Sequence, residues 1–274
     1  MLMPSMIHVT LMPRSTLVYE VPSSGRIAQS ILLRALSSSS RELAGEVRRR
    51  NPKPYSVSRI TTNRRRIRGY LAVVPPDEYV RVTLKLLNDD LLDPLLEGLE
   101  KDNISINGVP VEITDISIFR RSYWDLLAEA PIARGLTLRL ITPALGIDDG
   151  FPPPAPIVLR RAFEAWNSFS TIKLPEIILE RLFLAEPVIP TLLQSDSVKI
   201  PFTGRRVTLI GFRGEISYQL WRFWAQEGVV IAALAKLAEF SGVGAKTSLG
   251  FGVTKVKFWR KSRQVIGNVF RKAR

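Results

Sequence analysis

The sequence has no cysteine and only one histidine, His8, among its 274 residues. Without cysteine there is no disulfide framework, no thiol nucleophile and no iron–sulfur ligation, and one imidazole makes a histidine-based zinc site improbable. A serine-type catalytic triad is nearly excluded too, because His8 would have to be its only base. We interpret His8, which stands alone among apolar neighbours, as a structural residue.

Long apolar runs are also missing. The longest, at 229–235, is far shorter than the roughly 18 residues that suggest a membrane-spanning helix. The first 14 residues lack the basic start and apolar core of a signal peptide. We therefore expect a cytoplasmic protein that does not enter a membrane, with enough apolar residues for one large domain or two smaller ones.

Acidic residues are scarce and unevenly placed. The chain has 39 Lys and Arg against 25 Asp and Glu, a formal charge of +14. Positions 48–68 hold nine basic residues and no acidic one, and positions 255–274 are again basic without a carboxylate. Acidic residues concentrate instead at 89–102, on an apolar spacing typical of a helix that we expect to face away from any nucleic acid. The excess of positive charge and its uneven distribution favour a polyanionic partner, and nucleic acid is favoured over anionic lipid.

The apolar spacing predicts an order close to β-α-β-β-α-β in the first half of the chain and the same order again in the second half. In the first half we predict strands at 7–11, 55–60, 69–74, 79–87 and 104–119, the last folded back at Asn107-Gly108, and helices at 25–36, 42–48 and 89–102. In the second half we predict strands at 136–141, 198–200, 207–212 and 252–258 and helices at 157–169 and 227–240. Residues 143–156 and 186–190 are predicted loops.

This order is typical of two tandem ferredoxin-like (RRM-like) domains of the α+β class, with antiparallel sheets and helices on one face. We place the first domain at 1–130, the second at 131–258, and a basic tail at 259–274. We expect Trp221 and Trp224 in the core rather than at an interface.

The segment Gly242–Gly252 is the most distinctive local feature of the sequence. It fails as a Walker loop, because Ala245 precedes Lys246 and the predicted context is helix-loop-strand. A dinucleotide fingerprint fails for the same contextual reason. Two readings stay open: a loop that cradles a phosphodiester with Lys246, Thr247 and Ser248, or a helix cap and tight turn built from glycines.

These residues resemble a known family. The run Gly-x-Gly-x-Lys-x-Ser-Leu-Gly-Phe-Gly from Gly242 onward is similar to the C-terminal signature of the CRISPR-associated repeat-processing endoribonucleases, the sixth Cas family of the RAMP superfamily. Residues 43–58, Thr142-Pro143 and 163–169 resemble other parts of that family. The resemblance implies two ferredoxin-like domains, no cofactor or metal, and cleavage of CRISPR repeat RNA by attack of a 2′-hydroxyl on the adjacent phosphate. The products would be a 5′-hydroxyl and a 2′,3′-cyclic phosphate.

The same resemblance implies the site residues. The lysine of the family matches Lys53, while Arg48 stands where many members have a histidine and Arg34 falls near the position of a tyrosine. Arginine stays protonated and is a poor general base, so we expect a slower enzyme in which Arg34, Arg48 and Lys53 surround the scissile phosphate. The predicted RNA-binding residues are Arg26, Arg49, Arg50, Arg64, Arg65, Arg66, Arg68, Arg205, Arg206, Gly242, Gly244, Lys246, Thr247, Ser248, Gly250 and Gly252.

The sequence leaves two other functions open. A catalytically silent relative would hold guide RNA as a subunit of a CRISPR effector complex, and the changed catalytic positions favour it. A general single-strand RNA-binding protein would need the aromatic RRM motif. The segment Gly250-Phe251-Gly252-Val253 resembles that motif only weakly and has the wrong spacing. We also expect contact with effector-complex subunits or a homodimer as further partnerships.

Overall fold

A computed structural model describes residues 3–62, 67–68, 70–101, 103–147, 151–188, 192–202 and 205–259. The first unit contains β1 (Ser5–Pro13), β2 (Leu17–Glu20), α1 (Ser24–Ser39), α2 (Arg41–Arg49), β3 (Tyr55–Val57), β4 (Thr61–Thr62), β5 (Ile67–Arg68), β6 (Leu71–Val74), β7 (Val80–Leu86), α3 (Leu92–Lys101), β8 (Ser105–Ile106) and β9 (Val109–Arg120).

The second unit begins with a short helix. It contains α4 (Tyr123–Ala128), β10 (Gly135–Ala144), α5 (Ala155–Phe169), α6 (Ile177–Arg181), β11 (Glu186–Pro187), β12 (Leu192–Phe202), β13 (Arg205–Gln219), α7 (Ala225–Ser241) and β14 (Thr254–Trp259). Short 3₁₀ turns at Asp89–Leu91, Leu182–Leu184 and Thr247–Leu249 connect these elements.

Both main sheets are antiparallel and share one strand order. In the first sheet β1 lies between β7 and β9, and β3 pairs with the outer side of β7. In the second sheet β10 lies between β13 and β14, while β11 and β12 both pair with β13. Each unit therefore places its first strand in the centre and its last strand beside it, so the prediction of two ferredoxin-like units is confirmed.

Each sheet covers one face with helices and forms its own core. In β1 the residues alternate strictly between buried and half-buried, as expected for a strand with one face in the core. The helices α1 and α3 cover that face through Leu32, Leu95 and other apolar side chains, and α5 and α7 cover the second sheet. Tyr123 and Leu126 of α4 pack in the second core although they precede residue 130.

Several local predictions can be compared with the structure. Asn107 and Gly108 have positive φ angles of 50° and 81°, so the predicted hairpin turn is confirmed. The strand β2, which pairs with β6 in a small additional sheet, was not predicted. Residues 186–187 of the predicted loop at 186–190 form the short strand β11.

The core prediction for two tryptophans is wrong. Trp221 is 59% exposed and Trp224 is 75% exposed. The buried alternation of β13 ends at Tyr218 and Leu220, and both tryptophans lie in the turn that leads to α7.

The acidic segment forms the turn at Asp89–Leu91 and the helix α3. Leu92, Leu95 and Leu99 are buried, and Glu97 faces outward, where it bonds Ser39 and Lys101. Across the described parts of the chain, no helix is both long and apolar enough to cross a membrane.

Candidate active site

The glycine segment leads from the end of α7 to β14. Gly242 ends the helix with a φ of 75°, a backbone conformation that glycine adopts without a steric penalty. The amide of Val243 donates to the Gly252 carbonyl at 2.9 Å and the amide of Ala245 donates to the Leu145 carbonyl at 2.8 Å. The segment is therefore a closed loop attached to the second sheet.

Only part of this loop reaches the surface. Gly242, Thr247, Gly250 and Gly252 are buried, which fits a cap and a tight turn more closely than contact with a ligand. Lys246 is exposed and takes a left-handed φ of 56°, while Gly244 and Ser248 are half-exposed. Both readings of the segment thus apply, each to different residues. The buried residues shape the loop, while Gly244, Lys246 and Ser248 reach the surface with a cation and a hydroxyl.

Lys53 lies beside this exposed part of the loop. The two line a cavity of about 450 Å³, which we call the Lys53 cleft. The cleft is lined by Asn51, Lys53, Gly146, Ile157, Arg160, Arg161, Glu164, Gly244, Ala245, Lys246, Thr247 and Ser248. Its walls come from both units, because Lys53 precedes β3 whereas Arg160, Arg161 and Glu164 belong to α5.

Hydrogen bonds fix the Lys53 segment. The Lys53 Nζ donates to the carbonyl of Arg48, which is near the end of α2. The Nη2 of Arg161 donates to the Lys53 carbonyl at 2.8 Å, so α5 of the second unit holds the segment from the other side. The structure thus brings Lys53 together with the main chain of Arg48, whose side chain is exposed.

The charge of the cleft suits an anionic ligand. Lys53, Arg160, Arg161 and Lys246 line it with one carboxylate, Glu164. Burial lowers the pKa of Arg161, and the nearby Glu164 opposes that shift. The Nε of Arg161 is buried without a hydrogen-bond partner among the described residues.

Tyr55 connects the loop to the first unit. Its hydroxyl accepts a hydrogen bond from Nε2 of Gln29 on α1 at 2.9 Å. Burial raises the pKa of the Tyr55 phenol, while hydrogen bonds with Gln29 and Ser248 and the charge of Arg48 oppose the shift. The phenol therefore stays protonated and links α1, β3 and the loop.

Arg34 lies elsewhere. It is five residues after Gln29, which places the two about 140° apart around α1 at 100° per residue. Its guanidinium donates to the Asn103 carbonyl at 3.3 Å and to the Ser105 hydroxyl at 3.5 Å. Arg34 lines a second cavity of about 210 Å³ with Arg26, and Lys53 is not among the residues of that cavity. The structure therefore places Arg34 and Lys53 in different cavities, whereas the sequence-based prediction grouped Arg34, Arg48 and Lys53 around one phosphate.

His8 is not in the Lys53 cleft either. It lies on β1, half-buried, and its Nδ1 is 2.9 Å from the Thr83 hydroxyl. Burial lowers the pKa of His8, and the charges of Arg81 and Lys85 lower it further. The imidazole is therefore neutral at pH 7 and outside the candidate site.

The remaining predicted RNA contacts are scattered. Arg49 is exposed at the end of α2, and Arg50 comes next with its guanidinium 5.0 Å from the centre of the Phe169 ring. Arg206 is on the far hairpin and pairs with Glu20 at 3.0 Å. Residues Arg64, Arg65 and Arg66, the side chains of Arg68 and Arg205, and the tail from position 260 lie outside the described residues.

Sequence reasoning missed the contribution of α5. Arg160 and Arg161 are the only two basic residues of α5, and this adjacent pair was the available signal. The contact of Arg161 with the Lys53 segment, more than 100 residues away, depends on the docking of the two units. Within the described ranges, no three His, Asp or Glu side chains are grouped closely enough to hold a metal ion.

Comparisons with known proteins agree with this architecture. Residues 138–254 match the family model of the CRISPR-associated endoribonuclease Cas6, which confirms the resemblance seen in the sequence. No curated protein matches the chain. A Cas6 product complex is 22% identical, with a TM-score of 0.73 over 93% of this chain and 99% of that one.

Two further structures extend the comparison. Thermus thermophilus Cas6 is 20% identical, with a TM-score of 0.66 over 94% of this chain and 99% of that one. A RAMP protein described as binding different RNA substrates is 15% identical, with a TM-score of 0.60 over 92% of this chain and 99% of that one. At these identities the likeness is one of fold.

Proposed function

We propose that this chain, a relative of the Cas6 endoribonucleases in sequence and fold, cleaves CRISPR repeat RNA to make guide RNAs. The observation that carries the proposal is the Lys53 cleft, in which the lysine expected at the site meets the exposed part of the glycine segment. Four cations around one cavity bind a phosphodiester more readily than any neutral substrate.

The chemistry that we propose needs positioned charge more than a metal. The 2′-hydroxyl attacks the adjacent phosphorus, a proton leaves that hydroxyl, the bond from phosphorus to O5′ breaks, and O5′ gains a proton. Lys53 and Lys246 stabilise the negative charge that develops on the phosphate oxygens, and the guanidinium of Arg161 adds positive charge to the same cleft. Holding the RNA in line for this attack can supply about 7–11 kcal/mol of the barrier.

Arg34 takes a different part in this proposal. Because it lines the second cavity with Arg26 and Ser30, we assign it to a flanking phosphate rather than to the scissile one. Arg26, Ser30 and Arg34 recur every fourth residue and so share one face of α1.

The test is incubation of the purified protein with end-labelled repeat RNA from its own source, in excess EDTA. We expect one cut that leaves a 2′,3′-cyclic phosphate and a 5′-hydroxyl. Cleavage that stops in EDTA and returns with a divalent cation would overturn the metal-independent mechanism.

One observation favours a second candidate, the silent guide-RNA holder. Among the described residues the cleft has no imidazole, because the only histidine lies on β1. General acid–base catalysis contributes typically 10²–10⁴ in rate, so its absence slows the reaction. Tight binding of intact repeat RNA in the same assay would support this candidate. Effector-complex subunits, a homodimer and a cytoplasmic location stay predictions.

A further inference from the structure

The helix α7 belongs to the second unit but is buried on more than one side. Its described residues include Ile231, Leu234 and Leu237, all fully buried, and a helix that is apolar all round must be covered on more than one face. Part of that cover comes from the first unit, where Phe119 of β9 stacks on Phe240 with 6.2 Å between ring centroids. The end of α7 is therefore an interface between the units.

Two side chains of the first unit bind the end of α7 directly. Nζ of Lys85 on β7 donates to the Glu239 carbonyl at 2.6 Å, and the Ser56 hydroxyl on β3 donates to the Phe240 carbonyl. The last four carbonyls of a helix have no partner within the helix, so these donors satisfy two of them. Both donor side chains are almost completely buried.

This cap lies directly before the glycine segment. The helix α7 ends at Ser241, and the glycine segment starts at the next residue. Any rotation or shift of the last turn of α7 therefore moves Lys246 and Ser248 in the Lys53 cleft. On the other side, the Leu87 amide at the end of β7 donates to the Pro54 carbonyl at 2.8 Å, which attaches the Lys53 segment to the strand that carries Lys85.

From this connectivity we infer that Ser56 and Lys85 are positioning residues, which set the glycine loop against Lys53 by capping α7 across the interface between the units. The inference rests on the proposed function for its catalytic consequence. Neither residue touches the cleft, so each acts only through the loop and the Lys53 segment. The two halves of the site are then correctly spaced only when the units are docked.

Stability alone does not explain a lysine at this place. Burial lowers the pKa of Lys85 to about 8, with Glu239 opposing the shift and Lys255 adding to it. An apolar side chain of similar volume often serves a buried position as well as an ion does, or better. Lys85 differs from methionine in having a hydrogen-bond donor that reaches the Glu239 carbonyl.

The experiment compares the wild-type chain with Lys85→Met, Lys85→Arg and Ser56→Ala under single-turnover conditions, at saturating repeat RNA. We expect Lys85→Met and Ser56→Ala to lower the saturated cleavage rate about 10- to 100-fold, the effect of a misplacement of about 1 Å. RNA affinity should change less than about threefold, and Lys85→Arg, which keeps a donor, should recover most of the rate.

A second measurement does not depend on cleavage. Hydrogen exchange of the amides at 243–252 should become faster in Lys85→Met than in the wild type, while the amides of α3 stay unchanged as an internal control. If the wild type does not cleave, the proposed function fails and this exchange measurement still tests the cap. Unchanged loop exchange, or a lower melting temperature with an unchanged saturated rate, would overturn the inference.

Discussion

At the scale of single residues, the structure separates cations that the sequence had grouped together. Lys53 lies in a cleft with Lys246 and Arg161, whereas Arg34 bonds Asn103 and Ser105 in another cavity. Lys53 and Arg34 are therefore expected to contact different phosphates, one in the Lys53 cleft and one in the second cavity. Each place can be tested with one substitution.

Replacement of Lys53 by alanine removes a cation from the proposed site of charge development. Loss of one such group typically lowers the rate of the chemical step about 10²–10³-fold. We expect that loss in the saturated cleavage rate, with the affinity for repeat RNA reduced only slightly. The matched control is Lys101→Ala, because Lys101 pairs with Glu97 on the acidic helix. Equal rates for the two variants would contradict the assignment.

Replacement of Arg34 by alanine should act on binding instead. Loss of one phosphate contact weakens the affinity for RNA. It also reduces the slope of log Kd against log[salt] by about 1. The saturated cleavage rate should stay near that of the wild type. Titrations at several salt concentrations measure the slope, and a large fall in saturated rate would return Arg34 to the scissile phosphate.

At the scale of elements, the glycine segment shows how a loop is built by close approach of backbone. A Cβ on Gly252 would lie 1.8 Å from the Val243 carbonyl oxygen, and the φ of Gly252 is 62°. Gly108, in the hairpin between β8 and β9, also has a positive φ, of 81°, but an added Cβ there meets nothing within 4 Å. Both glycines therefore have an unfavourable backbone conformation for a side chain, but only at Gly252 would a side chain also collide with backbone.

Gly252→Ala and Gly108→Ala form a matched pair. A left-handed conformation costs a side chain about 1–2 kcal/mol, so we expect Gly108→Ala to lose about that much stability. Gly252→Ala adds an overlap with backbone and should lose at least about 2 kcal/mol more. Urea unfolding monitored by circular dichroism measures both free energies, and equal losses would show that the backbone contact is relieved at no cost.

The elements themselves were largely predictable, and the site was predictable in part. Asn107-Gly108 identifies its own turn, and the alternation in β1 identifies its buried face, because both signals are local. The family resemblance also indicated Lys53 as a catalytic residue and, separately, the glycine segment as an RNA-binding loop. The sequence could not indicate that Arg161 lines the Lys53 cleft or that Arg34 lines another cavity. These positions depend on how α5 docks against the first unit and on which face of α1 lies toward the loop.

At the scale of the whole molecule, aromatic residues that were expected inside lie on the surface. Trp221 and Trp224 are exposed beside the start of α7, whereas Trp166 is fully buried and donates to the Ile172 carbonyl at 2.8 Å. The guanidinium of Arg222 lies 4.7 Å from the centre of the Trp221 ring, which is a cation–π contact.

This distribution predicts how tryptophan fluorescence responds to a neutral quencher. In Trp221→Phe/Trp224→Phe, we expect the acrylamide-quenchable part of the emission to fall, because two exposed indoles are gone and only Trp124, 61% exposed, remains comparably accessible. Trp166→Phe removes a buried indole and should instead raise the quenchable fraction. Stern–Volmer plots of the three proteins give the comparison, and a double variant as quenchable as the wild type would place both rings inside.

The capping of α7 by the first unit also has a consequence for synthesis of the chain. The strands that carry Ser56, Lys85 and Phe119 are complete by residue 120, about 120 residues before α7 ends at Ser241. At a translation rate of about 5–20 residues per second, the first unit spends roughly 6–24 s with this face uncovered. Until α7 has been synthesised, the ammonium group of Lys85 on that face is hydrated. A charged side chain at this position disfavours aggregation of the exposed sheet with other nascent chains.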